Sequence, residues 1–243
     1  MKREDAPERI CTWDTETTGV DIANDRIITA YARIRNRSGE TEKELSVVIN
    51  PGVPIPKGAS DVHGMTDEWV QEHGGSPRKG INDIYMFLSD AVREGTPIVG
   101  YNNSFDLGIL SYEVQRHFRF DMWNTIGTKG VFFDPIVYDR EMDKFRKGKR
   151  TLELVAPVYG VPFDPELAHD AKYDVEVTCK LAWRIFQRSP YTLEQLQAWQ
   201  PIWKKRWADR ITEYFESIGK TNDDGSKIIV SGGFPWEREG DTK

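Results

Sequence analysis

Cysteine, long apolar runs and surplus positive charge are all scarce in this sequence. Two cysteines occur in 243 residues, Cys11 and Cys179. Both sit in apolar patterns, which argues for buried reduced thiols in a reducing cytoplasm rather than a disulfide or a zinc site. No apolar run approaches the roughly 20 residues that cross a bilayer. The charged start Met1-Lys2-Arg3-Glu4-Asp5 lacks the apolar segment of a secretory signal. A soluble cytoplasmic protein with no membrane role is expected. Lys and Arg number 33 against 39 Asp and Glu, a net charge of −6. Such a chain does not coat duplex DNA by charge alone, although it can grip a nucleic-acid end locally.

What is present suits a globular core, with 38% hydrophobic and 30% charged residues. Apolar runs predict strands over 10–16, 26–34 and 45–49. The turn signal Ser38-Gly39-Glu40 separates the second from the third, as in an antiparallel meander. A Pro-rich loop over 51–56 precedes a short helix over 67–72. Ile81, Ile84, Phe87, Leu88 and Val92 recur at helical spacing over 79–94. A strand over 97–101, a helix over 105–118 and a short strand over 131–133 come next. Helices over 135–145, 151–159 and 170–187 complete the pattern. This order implies an α/β fold: a mixed sheet of three antiparallel strands and then two parallel ones, with helices on its faces.

After Ser189-Pro190 the character changes. Thr192-Leu193-Glu194-Gln195 reads as a capping box. Leu196, Trp199, Trp203, Trp207, Ile211, Tyr214 and Ile218 follow at helical spacing, and Pro201 is expected to break or kink the run. These helices either pack on the core or present a docking surface. The expected organisation is a domain over 9–187, a helical appendage over 188–219 and a flexible tail over 220–243.

The chain's chemistry starts at Asp14-Thr15-Glu16-Thr17-Thr18-Gly19, at the end of the first strand. Strand alternation points Asp14 and Glu16 the same way. Two carboxylates on one face need water or a cation between them. Asp106 follows the fourth strand at a strand-to-helix junction, where α/β ligand sites gather. His169-x4-Asp174 adds a fourth carboxylate, with a His able to swing over the site from a loop. Four converging carboxylates can hold two hard divalent cations, an arrangement suited to in-line displacement at phosphorus, and a His can take a proton from water.

Asp14-Thr-Glu16-Thr-Thr-Gly, Asn102-Asn-Ser-Phe105-Asp106 and His169-x4-Asp174 resemble the three motifs of the DEDDh branch of 3′–5′ exonucleases, in the DnaQ-like superfamily with an RNase H-like core. Val62-His63-Gly64-Met65-Thr66 is similar to the family's His-Gly-Ile-Thr segment, with Met65 in the Ile place. The resemblance covers about residues 9–187. The first hexamer looks most like that of proofreading exonucleases such as the DNA polymerase III epsilon subunit. The resemblance implies a two-metal-ion exonuclease, using Mg²⁺ or Mn²⁺, that releases nucleoside 5′-monophosphates from a 3′ end, with DNA favoured over RNA. An RNA-trimming member of the family and a non-catalytic end-binding or polymerase-docking module are the alternatives. Asp14, Glu16 and Asp174 would hold one ion, Asp14 and Asp106 the other, and His169 would be the general base. Groups at Glu16, Thr17 and Thr18 would meet the terminal 3′ hydroxyl. His63, Met65 and Phe105 would line the terminal-nucleotide pocket, and Asn102 would steady the site. A DNA polymerase or other replication or repair protein is the expected partner.

Lys144, Arg146, Lys147, Lys149 and Arg150 put five bases within seven residues. They form either a solvated loop or a grip on the substrate's phosphate backbone, through Lys147, Lys149 and Arg150. Asp134 and Asp139 are expected to be structural.

Overall fold

The computed structural model describes residues 6–222 and 224–237. Strands β1 (Arg9–Thr17), β2 (Ile27–Asn36) and β3 (Thr41–Val48) form the antiparallel meander. The two-residue strands β4 (Ile98–Val99) and β5 (Phe132–Phe133) add in parallel beyond β1. The sheet order is β3-β2-β1-β4-β5, which places β1 at the centre. β2 is buried along nearly its whole length because helices cover both faces of the sheet. β3, at the edge, instead exposes Glu42, Lys43 and Glu44, charges that discourage pairing with another chain.

The helices are α1 (Lys57–His63), α2 (Asp67–His73), α3 (Pro77–Arg93), α4 (Asn103–Phe118), α5 (Pro135–Met142), α6 (Leu152–Val155), α7 (Ala171–Arg188) and α8 (Leu193–Ser217). Strand alternation divides β1 between two core layers. Cys11 and Trp13 pack with residues of α3 and α4, including Ile84, Leu88, Leu107 and Leu110. Ile10 packs on the other side with Val177, Leu181 and Phe186 of α7. Asp14 and Glu16 have the parity of Ile10 and turn toward α7. Thr15 has the parity of Trp13 and turns toward α4.

α8 differs from expectation. Pro201 does not break it; one helix runs from Leu193 to Ser217 with Pro201 inside. Tertiary contacts hold this stretch. Gln197 Oε1 accepts from the Phe132 N–H at 2.7 Å. Gln200 Oε1 accepts from Asp134 N–H at 2.8 Å, and its amide donates to Phe132 O at 3.1 Å. The two glutamines stand three apart on one helix face and pair with the open edge of β5 as a further strand would. α1 was not expected, since its short polar stretch buries nothing. In the C-terminal stretch Trp236 is only 2% exposed and meets Trp123 and Phe132 edge-on.

Candidate active site

The C-terminal half of β1 carries the site. Trp13 Nε1 donates to Asn103 Oδ1 at 2.9 Å. Two residues on, Thr15 donates to Asp106 Oδ1 through its hydroxyl at 2.6 Å and its backbone N–H at 3.2 Å. Residues 13 and 15 share a strand face, and 103 and 106 share a helix face. The two periodicities lock α4 onto β1 and fix the Asp106 carboxyl. The start of α4 is held from beneath by buried Asp134, which accepts from the backbone N–H of Asn102 at 3.1 Å and of Asn103 at 3.0 Å. Asn102 itself takes a left-handed conformation, φ 62°.

β1 ends at a bulge. Glu16 faces Thr29, but Thr17 faces Ile27, so β2 carries the extra residue. Such bulges re-aim side chains. Beyond it the chain turns tightly. The Thr17 hydroxyl donates to Gly19 O at 2.7 Å. Thr18 is 3% exposed, donates to Asp25 Oδ1 at 2.9 Å and accepts from Arg26 N–H at 3.0 Å. The Thr18 hydroxyl is thus engaged inside the loop, whereas the sequence suggested it as a substrate contact.

Asp174 lies in the first turn of α7, whose N-cap Asp170 accepts from Tyr173 N–H at 2.8 Å. His169 sits before that turn in a left-handed conformation, φ 64°, which His adopts more readily than most residues. Its N–H donates to Asp174 Oδ2 at 3.3 Å. Ligand-capable atoms of Glu16, His169 and Asp174 lie within 4.8 Å of one another.

The electrostatics tie the four carboxylates together. Burial, then the charges of Asp106, Glu16 and Asp174, push the Asp14 pKa well above its ordinary value. Burial, then Asp174 and Asp106, lift Glu16 to about 8. Burial lifts Asp106 to about 7 against the Thr15 hydrogen bonds, and lifts Asp174 to about 6 against the His169 N–H. Four such groups cannot all ionise together unless a cation compensates them. Asp174 Oδ1 is buried with no hydrogen-bond partner. An orphaned carboxylate oxygen in a donor set made mostly of carboxylates fits a hard divalent cation.

His63 ends α1. Its Nδ1 accepts from Met65 N–H at 3.1 Å, and its Nε2 is buried without a partner. Burial lowers its pKa, the Thr17 carbonyl favours its proton, and the His169 charge opposes it. His63, Met65 and His169 line one cleft of about 580 Å³ together with Tyr31 and Lys172. Phe105, half-buried, immediately precedes Asp106. The basic run splits. Arg150 is 10% exposed on its side chain and pairs with buried Asp139 at 2.5 Å, which Arg146 also reaches. Lys147 and Lys149 face solvent. Arg150 is therefore turned inward, away from the phosphate role its sequence neighbourhood suggested.

Trp13, Thr15 and Asn103 were not singled out from sequence. Their signal is a strand i, i+2 pair matched to a helix i, i+3 pair, which is readable only once β1 is known to pack on α4.

The family model RNase_T, described as Exonuclease, matches residues 12–182. A DNA polymerase III PolC-type of Lacticaseibacillus paracasei is 26% identical over 176 residues, covering 72% of this chain and 11% of that protein. The PolC-type polymerase of Pediococcus pentosaceus is 28% identical over 171 residues, 70% and 11% of the two chains. Among solved structures, E. coli exonuclease I in complex with a dA16 oligonucleotide superposes with a TM-score of 0.62 at 20% identity, covering 76% of this chain and 42% of that one. Exonuclease I of Methylocaldum szegediense gives 0.63 at 20% identity, over 85% and 45%. The chain thus spans about a tenth of those curated relatives (11%) and under half of these solved chains.

Proposed function

Because the chain belongs to the RNase_T exonuclease family, within the DnaQ-like superfamily, we propose that it hydrolyses the 3′-terminal phosphodiester of DNA and releases nucleoside 5′-monophosphates. The observation that carries this reading is the electrostatic coupling of Asp14, Glu16, Asp106 and Asp174 beside His169. Asp14, Glu16 and Asp174 hold one divalent cation, and Asp14 and Asp106 hold a second. When bound, Mg²⁺ or Mn²⁺ activates the attacking water and neutralises charge on the scissile phosphate and the leaving 3′ oxygen.

The chain's own residues do the rest. His169 accepts the proton of the attacking water as the water oxygen bonds to phosphorus. The bond from phosphorus to the 3′ oxygen of the penultimate nucleotide breaks, and that oxygen leaves. Backbone around Glu16 and Thr17 orients the terminal 3′ hydroxyl. His63, Met65 and Phe105 flank the last bases, and Phe105 stacks on an unpaired one. DNA as substrate is supported by the polymerase relatives and by the oligonucleotide that E. coli exonuclease I carries. A polymerase or other DNA-bound partner fits the same relatives.

The test is a matched panel of single-stranded DNA, mismatched duplex DNA and RNA with labelled 3′ ends, with and without Mg²⁺ or Mn²⁺. Metal-dependent release of mononucleotides from DNA, abolished by Asp14→Ala, is expected. Faster release from RNA would make the chain an RNA-trimming enzyme. No release from any substrate would leave an end-binding module.

A further inference from the structure

One cleft of this acidic chain is lined by six cationic side chains and no carboxylate. The loop between α5 and α6 carries Lys144, Arg146, Lys147, Lys149 and Arg150, and it faces α8. Between loop and helix lies a cleft of about 500 Å³ lined by Arg140, Arg146, Lys149, Trp207 and Arg210, among others. Carboxylates neutralise only part of this charge. Asp139 takes Arg146 and Arg150, and Glu141 takes Lys144 and Arg206. Lys147, Lys149 and Arg210 make no ion pair among the described residues. Arg140 lies 3.5 Å over the Trp207 ring. Arg146 Nη1 is buried with no hydrogen-bond partner, a charged donor still lacking an acceptor.

The loop also holds an aromatic side chain out of place. Phe145, between Lys144 and Arg146, is 93% exposed. A Phe so exposed gains nothing from the hydrophobic effect in the free protein. Aromatic rings interleaved with cations are what a single strand requires: phosphates meet the charges and unpaired bases stack on the rings. The loop is also tied to the segment that enters α4. Tyr101 donates its hydroxyl to Arg150 O at 2.6 Å, and Tyr101 leads through Asn102 into the helix that carries Asp106. A strand with its 3′ end at the carboxylates has this rim beside it.

We propose that the α5–α6 loop and α8 form a second binding site for single-stranded DNA, in which Lys149 and Arg210 contact backbone phosphates and Phe145 stacks on a base upstream of the scissile nucleotide. The inference rests on the reading of the chain as a DNA exonuclease. It is tested on the full chain by fluorescence anisotropy, with chelator present to prevent turnover, using a labelled single-stranded DNA of about 16 nucleotides, the upper site size of one such binding module. Phe145→Ala weakens binding about fivefold or more. Lys149→Ala combined with Arg210→Ala makes the salt dependence of log K shallower by about 1.4, at about 0.7 per lost single-strand phosphate contact. Lys79→Ala combined with Arg93→Ala, both on α3, removes the same two charges elsewhere and changes neither quantity.

Wild-type Kd and salt slope in the cleft variants, with wild type still releasing 3′ nucleotides, overturn this inference alone. A wild type that neither binds the strand nor degrades any 3′ end overturns the exonuclease reading itself. An RNA strand of the same length separates sugar preference: equal losses support the site, and a loss confined to RNA overturns its assignment to DNA. Phosphatidylserine vesicles that lose binding in Phe145→Ala, while DNA affinity holds, assign the loop to a membrane surface and overturn the proposal.

Discussion

The Thr15 hydroxyl and the Thr15 backbone N–H both donate to a single oxygen of Asp106, at 2.6 and 3.2 Å. The strand residue between the two β1 carboxylates thus fixes the helix carboxylate. Thr15→Val keeps the side-chain shape and the backbone bond and removes only the hydroxyl. Cation affinity or turnover should fall about 10- to 100-fold, the usual cost of losing a partner that orients a metal ligand. Thr15→Ser should recover most of it. A Mn²⁺ titration of 3′-nucleotide release reads both variants, and a Val variant matching wild type would remove Thr15 from the positioning machinery.

Metal-free protein should lose stability as pH rises. Glu16 goes from an ordinary 4.5 to about 8 on folding, and Asp174 from 3.8 to about 6. Between those values the folded chain binds more protons than the unfolded chain, so stability falls from about pH 4 to about pH 8. Melting in chelator at pH 5 and pH 8 measures the drop. Mn²⁺ at pH 8 should restore the transition, since it binds the ionised cluster of the folded state alone. An Asp14→Asn chain should show a smaller drop.

Glu176 titrates with the opposite sign. Burial alone would raise it, but hydrogen bonds from Lys180, Arg33 and Arg35 overcome that and bring it down from 4.5 to about 2. The arginines lie on β2, so this carboxylate clamps α7 to the sheet two residues beyond Asp174. Its contribution is complete above about pH 4.5 and disappears as pH falls toward 2. Wild type should therefore be more stable than Glu176→Gln at neutral pH, with the gap closing below pH 4.5. Acid titrations followed by circular dichroism would show a constant gap if the clamp carries no energy.

Gln200→Leu removes an acceptor from Asp134 N–H and a donor from Phe132 O. Each buried backbone group left unpaired costs about 1–3 kcal/mol, so the melting temperature should fall by several degrees. Because Asp134 also supports the N–H groups of Asn102 and Asn103, 3′-nucleotide release should fall with it. An unchanged melting temperature would show that α8 is only draped on β5.

The sequence was most legible where chemistry dictates spacing. The spacing puts Asp14 and Glu16 on one face of β1, Asp106 in the first turn after β4 and Asp174 in the first turn of α7, where the structure also places them, and the three antiparallel and two parallel strands read directly. What did not read depends on partners far along the chain. Pro201 signals a break by local propensity, yet Gln197 and Gln200 tie its helix to β5 and tertiary pairing prevails. Arg150 looks free in a basic run, but its acceptor Asp139 lies a helix earlier. The stretch around Trp236 is polar and Gly-rich in composition, yet its indole is buried edge-on beside Trp123 and Phe132.

β1 lies at the middle of the sheet, so Asp14 and Glu16 ride on a segment paired with β2 on one side and β4 on the other. His169 rides instead on an irregular link in a left-handed backbone state, outside any strand or helix. The site therefore joins two kinds of support. The carboxylates of β1 are anchored by strand pairing on both sides, whereas His169 is anchored by the hydrogen bond of its own N–H to Asp174 at the start of α7. A substitution in the link before α7 should therefore shift His169 while leaving the positions of Asp14 and Glu16 on β1 unchanged.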